Sequence, residues 1–245
     1  MTTSSFPGGT SITALDVYDT AAGDGVCGGS PHLHLASTEA YVVTAGTGEL
    51  HTLDATGFRR TPLEAGVVVW FTPGTIHRAV NFGDLQVLVV MSNAGLPEAG
   101  DAVLTFPAEV LADPDRYAEA VRLPAGGSEE SRALAAAMRR DLAVEGFAEL
   151  QGRIAAEGQA ALEEFYAAAG QLVAPRAASW GELVRERPLR AAEWGLAMAE
   201  AVAGGDVTHL GEGSVRVARP QQEVRAFGMC GRLRTYDVSD HEPLG

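Results

Sequence analysis

From residue 11 to about residue 107 the chain is a succession of short β-branched, aromatic or alternating apolar runs, each cut off by a glycine-bearing turn. Ile12 to Tyr18, Ala40 to Ala45, Glu49 to Leu53, Val67 to Phe71, Ile76 to Val80 and Leu85 to Met91 are the runs. Gly23-Asp24-Gly25, Gly28-Gly29, Gly46-Thr47-Gly48, Asp54 to Gly57, Pro73-Gly74 and Asn81 to Asp84 are the turns between them. This rhythm leaves no room for the crossover helices of βαβ units, so it predicts a small sandwich or barrel.

The pattern then changes. From about 108 to 203 the chain is alanine-rich with helical spacing, as in Leu134, Met138 and Leu142, then Phe147, Leu150 and Ile154, then Leu162, Phe165 and Leu172. Ser128 before Glu129 and Glu130 suits a helix start, Ser179 with Glu182 has capping-box spacing, and Pro188 suits a first helical position. Gly146, Gly152 and Gly158 predict bends or breaks between 128 and 172. Past Pro220, Val224 to Val238 reads as one or two returning strands. The division expected is 1–107 for the barrel, 108–210 for a helical segment acting as lid or dimerisation surface, and 211–245 for strands added to the barrel sheet.

All 18 basic residues are arginine, and the net charge is -14. An acidic surface repels phosphate backbones and anionic lipid, which argues against nucleic-acid and membrane partners. Cys27 and Cys230 form no CxxC pair and read as buried small hydrophobes. With no charged-then-apolar leader and no apolar run of ~20 residues, a cytoplasmic protein is expected.

Chemistry concentrates in Pro31-His32-Leu33-His34 to Glu39 and in Pro73-Gly74-Thr75-Ile76-His77 to Asn81. Side chains two apart on a strand share a face, so His32 and His34 point the same way. Glu39 and His77, the latter after a turn, would complete a three-nitrogen, one-oxygen set for a divalent transition metal. His77 shares parity with Asn81, while Arg78 and Val80 face outward. Tyr41 shares parity with Glu39. His51, His209 and His241 read as ordinary core or surface residues, and Arg59 and Arg60 as solvated residues of a turn-rich loop.

Gly28, His32, His34, Glu39 and Gly46, followed by Gly66, Pro73, Gly74, His77 and Asn81, resemble the two signature motifs of the cupin superfamily over roughly residues 12 to 93. The resemblance implies a mainly β fold with α: a cupin-type double-stranded β-helix, or jelly-roll barrel, here followed by a helical segment and returning strands. It implies sugar or oxo-acid isomerases and epimerases, dioxygenases, decarboxylases or binding proteins. The expectation is one divalent ion (Fe, Mn, Ni, Co, Zn or Cu) on His32, His34, Glu39 and His77, with Tyr41 and Glu39 as catalytic candidates. The substrate would be a small sugar, oxo-acid or enediol, since Arg59, Arg60 and Arg78 are the only barrel cations to meet a phosphate. The alternative is a metal-containing small-molecule sensor whose helices carry the output. Unburied apolar stripes on those helices make a homodimer the default assembly.

Overall fold

The computed structural model describes residues 6–238. Strands β1 (Ser11–Val17), β2 (His32–His34), β3 (Glu39–Asp54), β4 (Gly57–Glu64), β5 (Val68–Phe71), β6 (Ile76–Met91) and β7 (Ala102–Leu104) precede the helices, and β8 (Ala226–Phe227) and β9 (Gly231–Thr235) follow them. All described pairings are antiparallel. The long β3 and β6 pair along nearly their whole length, with register shifts between Val43 and Gly48. Their halves therefore belong to two walls. In one wall the order is β5, β3, β6, β1, β9 and β8; in the other it is β4, β3, β6, β2 and β7.

Four of the expected short runs are thus only two strands, each turning a corner: Ala40 to Ala45 with Glu49 to Leu53 in β3, and Ile76 to Val80 with Leu85 to Met91 in β6. Gly46 and Gly48 make the corner: Gly46 has φ +72°, and a Cβ there would sit 2.2 Å from the Asp84 backbone, while one on Gly48 would sit 2.1 Å from the Val80 carbonyl oxygen. Asn81 locks the facing bend, accepting at Oδ1 from the Gly83 and Leu85 amides and donating from Nδ2 to the Val17 carbonyl. It shares the face of His77 but serves the backbone. Inside the barrel lie Leu15, Val43, Leu50, Leu63, Phe71, Leu85, Val87, Val89 and Met91.

Some local readings need correction. Residues 57–64 are an edge strand that carries Arg59 and Arg60 rather than a turn-rich loop; Pro62 and four exposed neighbours hid it. Arg78 does leave the barrel interior, yet it is buried. Its guanidinium donates to the Gly29 and Val26 carbonyls and to the Asp24 carboxylate, because the 20s loop folds over that face.

Helices α1 (Ala108–Leu111), α2 (Pro114–Val121), α3 (Glu129–Glu157), α4 (Gln159–Ala177), α5 (Trp180–Val184) and α6 (Arg190–Ala203) follow. Ser128 caps α3 by accepting from the Ser131 amide at 3.2 Å. The other two expected starts differ: Ser179 is itself helical and makes no cap, and Pro188 lies inside a wide turn, Arg185–Leu189, that runs into α6. Of the three glycines, only Gly158, at φ +73°, breaks the rod. Gly146 instead permits contact, since a Cβ there would lie 2.3 Å from backbone atoms of Phe106 and Thr105.

That contact shows what α3 and α4 cover. Ala143, Phe147 and Leu150 of α3 and Leu162, Phe165, Ala169 and Leu172 of α4 share one core with Leu33, Ile76, Val103 and Leu104, on the outer face of the wall carrying β2 and β7. Arg139 and Arg140 of α3 reach past it. Arg140 donates to the Thr20, Ala21 and Gly28 carbonyls, and Arg139 to the Gly228 carbonyl. The terminal guanidinium nitrogens thereby find acceptors, while the buried Nε of each arginine has no hydrogen-bond partner among the described residues. Replacing Gly146 with alanine should lower stability by about 1–3 kcal/mol through overpacking. Gly152→Ala, where nothing lies within 4 Å, should raise it by about 0.5–1 kcal/mol. Urea midpoints with unchanged slopes would show both; equal effects at the two positions would refute the close-contact role of Gly146.

Candidate metal centre

Three local devices bring the sequence-predicted ligands together. Strand β2 sits between β6 and β7, with His32 opposite His77 on one side and Leu104 on the other. Period two then sends Leu33 to the helix-side core and turns His32 and His34 into the barrel. Thr72 to Thr75 form the expected turn: the Thr75 amide donates to the Thr72 carbonyl at 3.1 Å, and Gly74 takes φ +86°. The Gly74 amide in turn donates to the His34 carbonyl at 3.0 Å, tying the turn to the strand. Glu39 opens β3 next to Phe71 and Met91.

One donor atom from each of His32, His34, Glu39 and His77 lies within 4.8 Å of all the others, and all four residues are buried. Glu39 Oε2 is 3.1 Å from Nε2 of both His34 and His77. The outer nitrogens are committed elsewhere. Nδ1 of His32 donates to the Ser30 carbonyl at 3.0 Å and Nδ1 of His77 to the Thr75 carbonyl at 3.1 Å. Nδ1 of His34 meets Asp101 Oδ1 at 2.7 Å. A neutral imidazole whose proton is on Nδ1 presents a lone pair at Nε2. Once the proton of His34 Nε2 is displaced, lone pairs of three rings and a carboxylate would face one another, and Glu39 Oε2 and His77 Nε2 have no hydrogen-bond partner among the described residues. Such an arrangement is repulsive unless a positive charge stands among the four atoms.

The electrostatics of the protein groups agree. Burial works against charge on His34, but the Asp101 and Glu39 carboxylates outweigh it and push the ring up to about 10. Burial likewise opposes ionisation of Glu39, and the His77 and His34 rings more than reverse it, holding the carboxyl far below its usual range. His32 falls well below its ordinary value through burial and the neighbouring rings. The residue set fits a divalent ion, which would take the place of the His34 proton as the positive charge among the four donors.

Tyr41 is fully buried, its hydroxyl 3.7 Å from Cys230 Sγ. Burial, with Cys230 and Glu39 beside it, raises the phenol well above its ordinary value, and burial pushes the Cys230 thiol up to about 12. Cys27 and Cys230 are both free thiols. His51 pairs with Glu49 at 2.9 Å, His209 lies in the turn Thr208–Glu212, and neither joins the cluster. His241 falls outside the described residues. Asp101 is the functional candidate that sequence reasoning missed; its one signal is an acid opening the apolar run Ala102 to Phe106.

Residues 21–92 match the family model described as a cupin domain. The barrel is a cupin domain. Among solved structures, a conserved protein with a double-stranded β-helix domain from Klebsiella pneumoniae is 22% identical, with a TM-score of 0.27 over 35% of this chain and 70% of that one. CapF, the capsular polysaccharide assembling protein of Staphylococcus aureus, is 17% identical with a TM-score of 0.30; the match covers 38% of this chain and 27% of CapF. Pac13 of Streptomyces, a nucleoside dehydratase also seen with uridine, is 15% identical with a TM-score of 0.29, over 42% of this chain and 70% of that one. No curated protein matches the chain. None of the described helices is long and apolar enough to cross a membrane.

The raised value on His34 fixes the sign of a pH effect in the chelator-treated protein. A proton bound more tightly in the folded than in the unfolded state stabilises the fold. Its contribution is full below the unfolded value of about 6.5 and is lost as the pH rises through about 10. The melting midpoint should therefore fall between about pH 7 and about pH 10. A flat midpoint over that range would count against charge pairing at His34.

Proposed function

We propose that this cupin is a metal-dependent enzyme acting on a small oxygenated metabolite, with His32, His34, Glu39 and His77 as ligands of one divalent transition ion. The observation that carries the reading is the convergence of Nε2 lone pairs on a buried carboxylate while every outer imidazole nitrogen is already bonded. Nitrogen and oxygen donors in this ratio suit Fe, Mn, Ni, Co, Zn or Cu. Such an ion supplies Lewis acidity toward a carbonyl or hydroxyl oxygen and, where redox-active, a route to dioxygen chemistry.

The chain's own residues divide the remaining work. Tyr41, with its proton held far above neutrality, would donate a hydrogen bond or a proton to substrate oxygen and would not act as a base. Glu39, held ionised, would accept and not donate, which favours its ligand role over its catalytic one. Phe71, Val89 and Met91 supply an apolar wall that keeps water from the reacting atoms. Arg78 is engaged by Asp24 and backbone carbonyls, and Arg59 and Arg60 lie exposed on β4. That distribution supports a neutral or weakly anionic sugar, oxo-acid or enediol over a phosphorylated one. Isomerisation or epimerisation needs no oxygen; dioxygenation consumes it in step with substrate.

A sensing role is the second reading, and one observation favours it. The helix layer bonds to turns that hold the site: Tyr166 donates to the Gly74 carbonyl at 2.7 Å and Arg176 to the Gly100 carbonyl at 2.9 Å. Movement at either turn would reach α4. Exposed Trp194, Leu196 and Val202 on α6 support a homodimer, and the charge of -14 supports a partner list without nucleic acid or membrane.

Purified protein should carry close to one transition ion per chain by elemental analysis. His77→Ala should stay folded and lose more affinity than the ~10–100-fold typical of outer-partner removal. Wild-type stoichiometry in that variant would remove His77 from the ligand set. A screen of sugars, oxo-acids and enediols, run with and without air, separates the branches: turnover in both supports isomerase or epimerase chemistry, and oxygen-coupled turnover supports a dioxygenase. Tight binding of a screened compound without turnover would favour the sensor.

A further inference from the structure

We infer that Asp101 is a positioning residue of the centre, which orients and polarises His34 and supplies the second negative charge that balances a divalent ion. This inference rests on the metal-site reading above. The three histidines are unequal on their outer sides. His32 and His77 face backbone carbonyls at 3.0 and 3.1 Å, whereas His34 alone faces a carboxylate, at 2.7 Å. A charged acceptor makes the shorter and stronger bond, fixes the proton on Nδ1, and makes Nε2 the most basic of the three donors.

Asp101 is built into place for this. It is completely buried, and its Oδ2 has no hydrogen-bond partner among the described residues. Its carbonyl accepts from the Leu35 amide at 3.0 Å and its amide donates to the Leu96 carbonyl at 3.2 Å, so the segment next to the HxH strand sets its height. The preceding carbonyls are stapled from the helices, Gly100 by Arg176 Nε at 2.9 Å and Ala99 by Trp180 Nε1 at 3.2 Å. A buried carboxylate paired with an imidazole needs positive charge on or behind that ring. A divalent ion provides it through the imidazole, and with Glu39 and Asp101 both ionised the buried charges sum to zero.

Two measurements test this. The first titrates Co(II) into wild type, Asp101→Asn and Asp101→Ala against a competing chelator, with visible absorption and circular dichroism recorded together. Asp101→Asn keeps an oxygen for the Nδ1 proton but loses the charge; it should bind about 10-fold more weakly, with a shifted Co(II) band and unchanged fold. Asp101→Ala should bind more weakly still. The second, on Zn(II)-loaded wild type, follows imidazole N–H protons by NMR and needs no variant to fold: the His34 Nδ1 proton should resonate downfield of those of His32 and His77. Affinity and band identical to wild type in Asp101→Asn, or a His34 signal level with the others, would overturn the role of Asp101 while leaving the ligand set intact. Failure of wild type itself to bind Co(II) or Zn(II) would instead overturn the metal centre, and this inference with it.

Discussion

The period-two geometry of a three-residue strand organises the molecule. Strand β2 must satisfy two interiors at once: His32 and His34 enter the barrel, and Leu33 enters the core shared with α3 and α4. Each neighbour depends on that placement. His77 comes to the site because it is the residue of β6 opposite His32. Asp101 reaches the outer side of His34 because β7 pairs with the other edge of β2. A slip of one residue would put Leu33 among the donors and two imidazoles into an apolar core, a rearrangement that costs both burial and polar satisfaction.

The β-then-α order and the gathering of His32, His34, Glu39 and His77 were legible because both rest on local rules. Alternation orients His32 and His34, and Pro73-Gly74 sets the turn before His77. Corners were less legible. Ala40 to Ala45 and Glu49 to Leu53 read as two strands, but their glycines serve a bend in one strand whose need arises only when Asp84 and Val80 approach from β6. The same holds for Gly146, whose missing Cβ admits the Thr105–Phe106 backbone: local propensity expects a bend or break, and α3 instead runs unbroken through it against that backbone. Ser179 carries capping-box spacing without capping because the chain around it is already helical. Asp101 escaped for the deepest reason, since its significance lies entirely in a partner 67 residues away.

The helix layer is bound to the barrel in two ways that act on different parts. Apolar contact covers the back of β2 and β7 and holds the wall together without regard to direction. Donor side chains then fix particular carbonyls: Gly28 by Arg140, Gly228 by Arg139, Gly74 by Tyr166 and Gly100 by Arg176. Each of these carbonyls belongs to a glycine, which has no side chain of its own to pack. Directional bonds are what such segments need to be held to a few tenths of an ångström, the tolerance that a ligand set demands.

Charge accounting narrows what the barrel can receive. Glu39 and Asp101 are buried acids at the same centre, one inside the ring of imidazoles and one behind it. Two negative charges this close repel one another and call for positive charge between them. A divalent ion meets that need and leaves no surplus to attract a dianion. Arg78 is spent on Asp24, and Arg140 on backbone carbonyls outside the barrel. A neutral polyol or carbonyl compound keeps the balance on entering, and Tyr41, which retains its proton, can meet its oxygen as a donor. A phosphate would have to bring its own counter-charge into an apolar wall of Phe71, Val89 and Met91. On the proposed function, the same imbalance that calls for the ion would select against strongly anionic substrates.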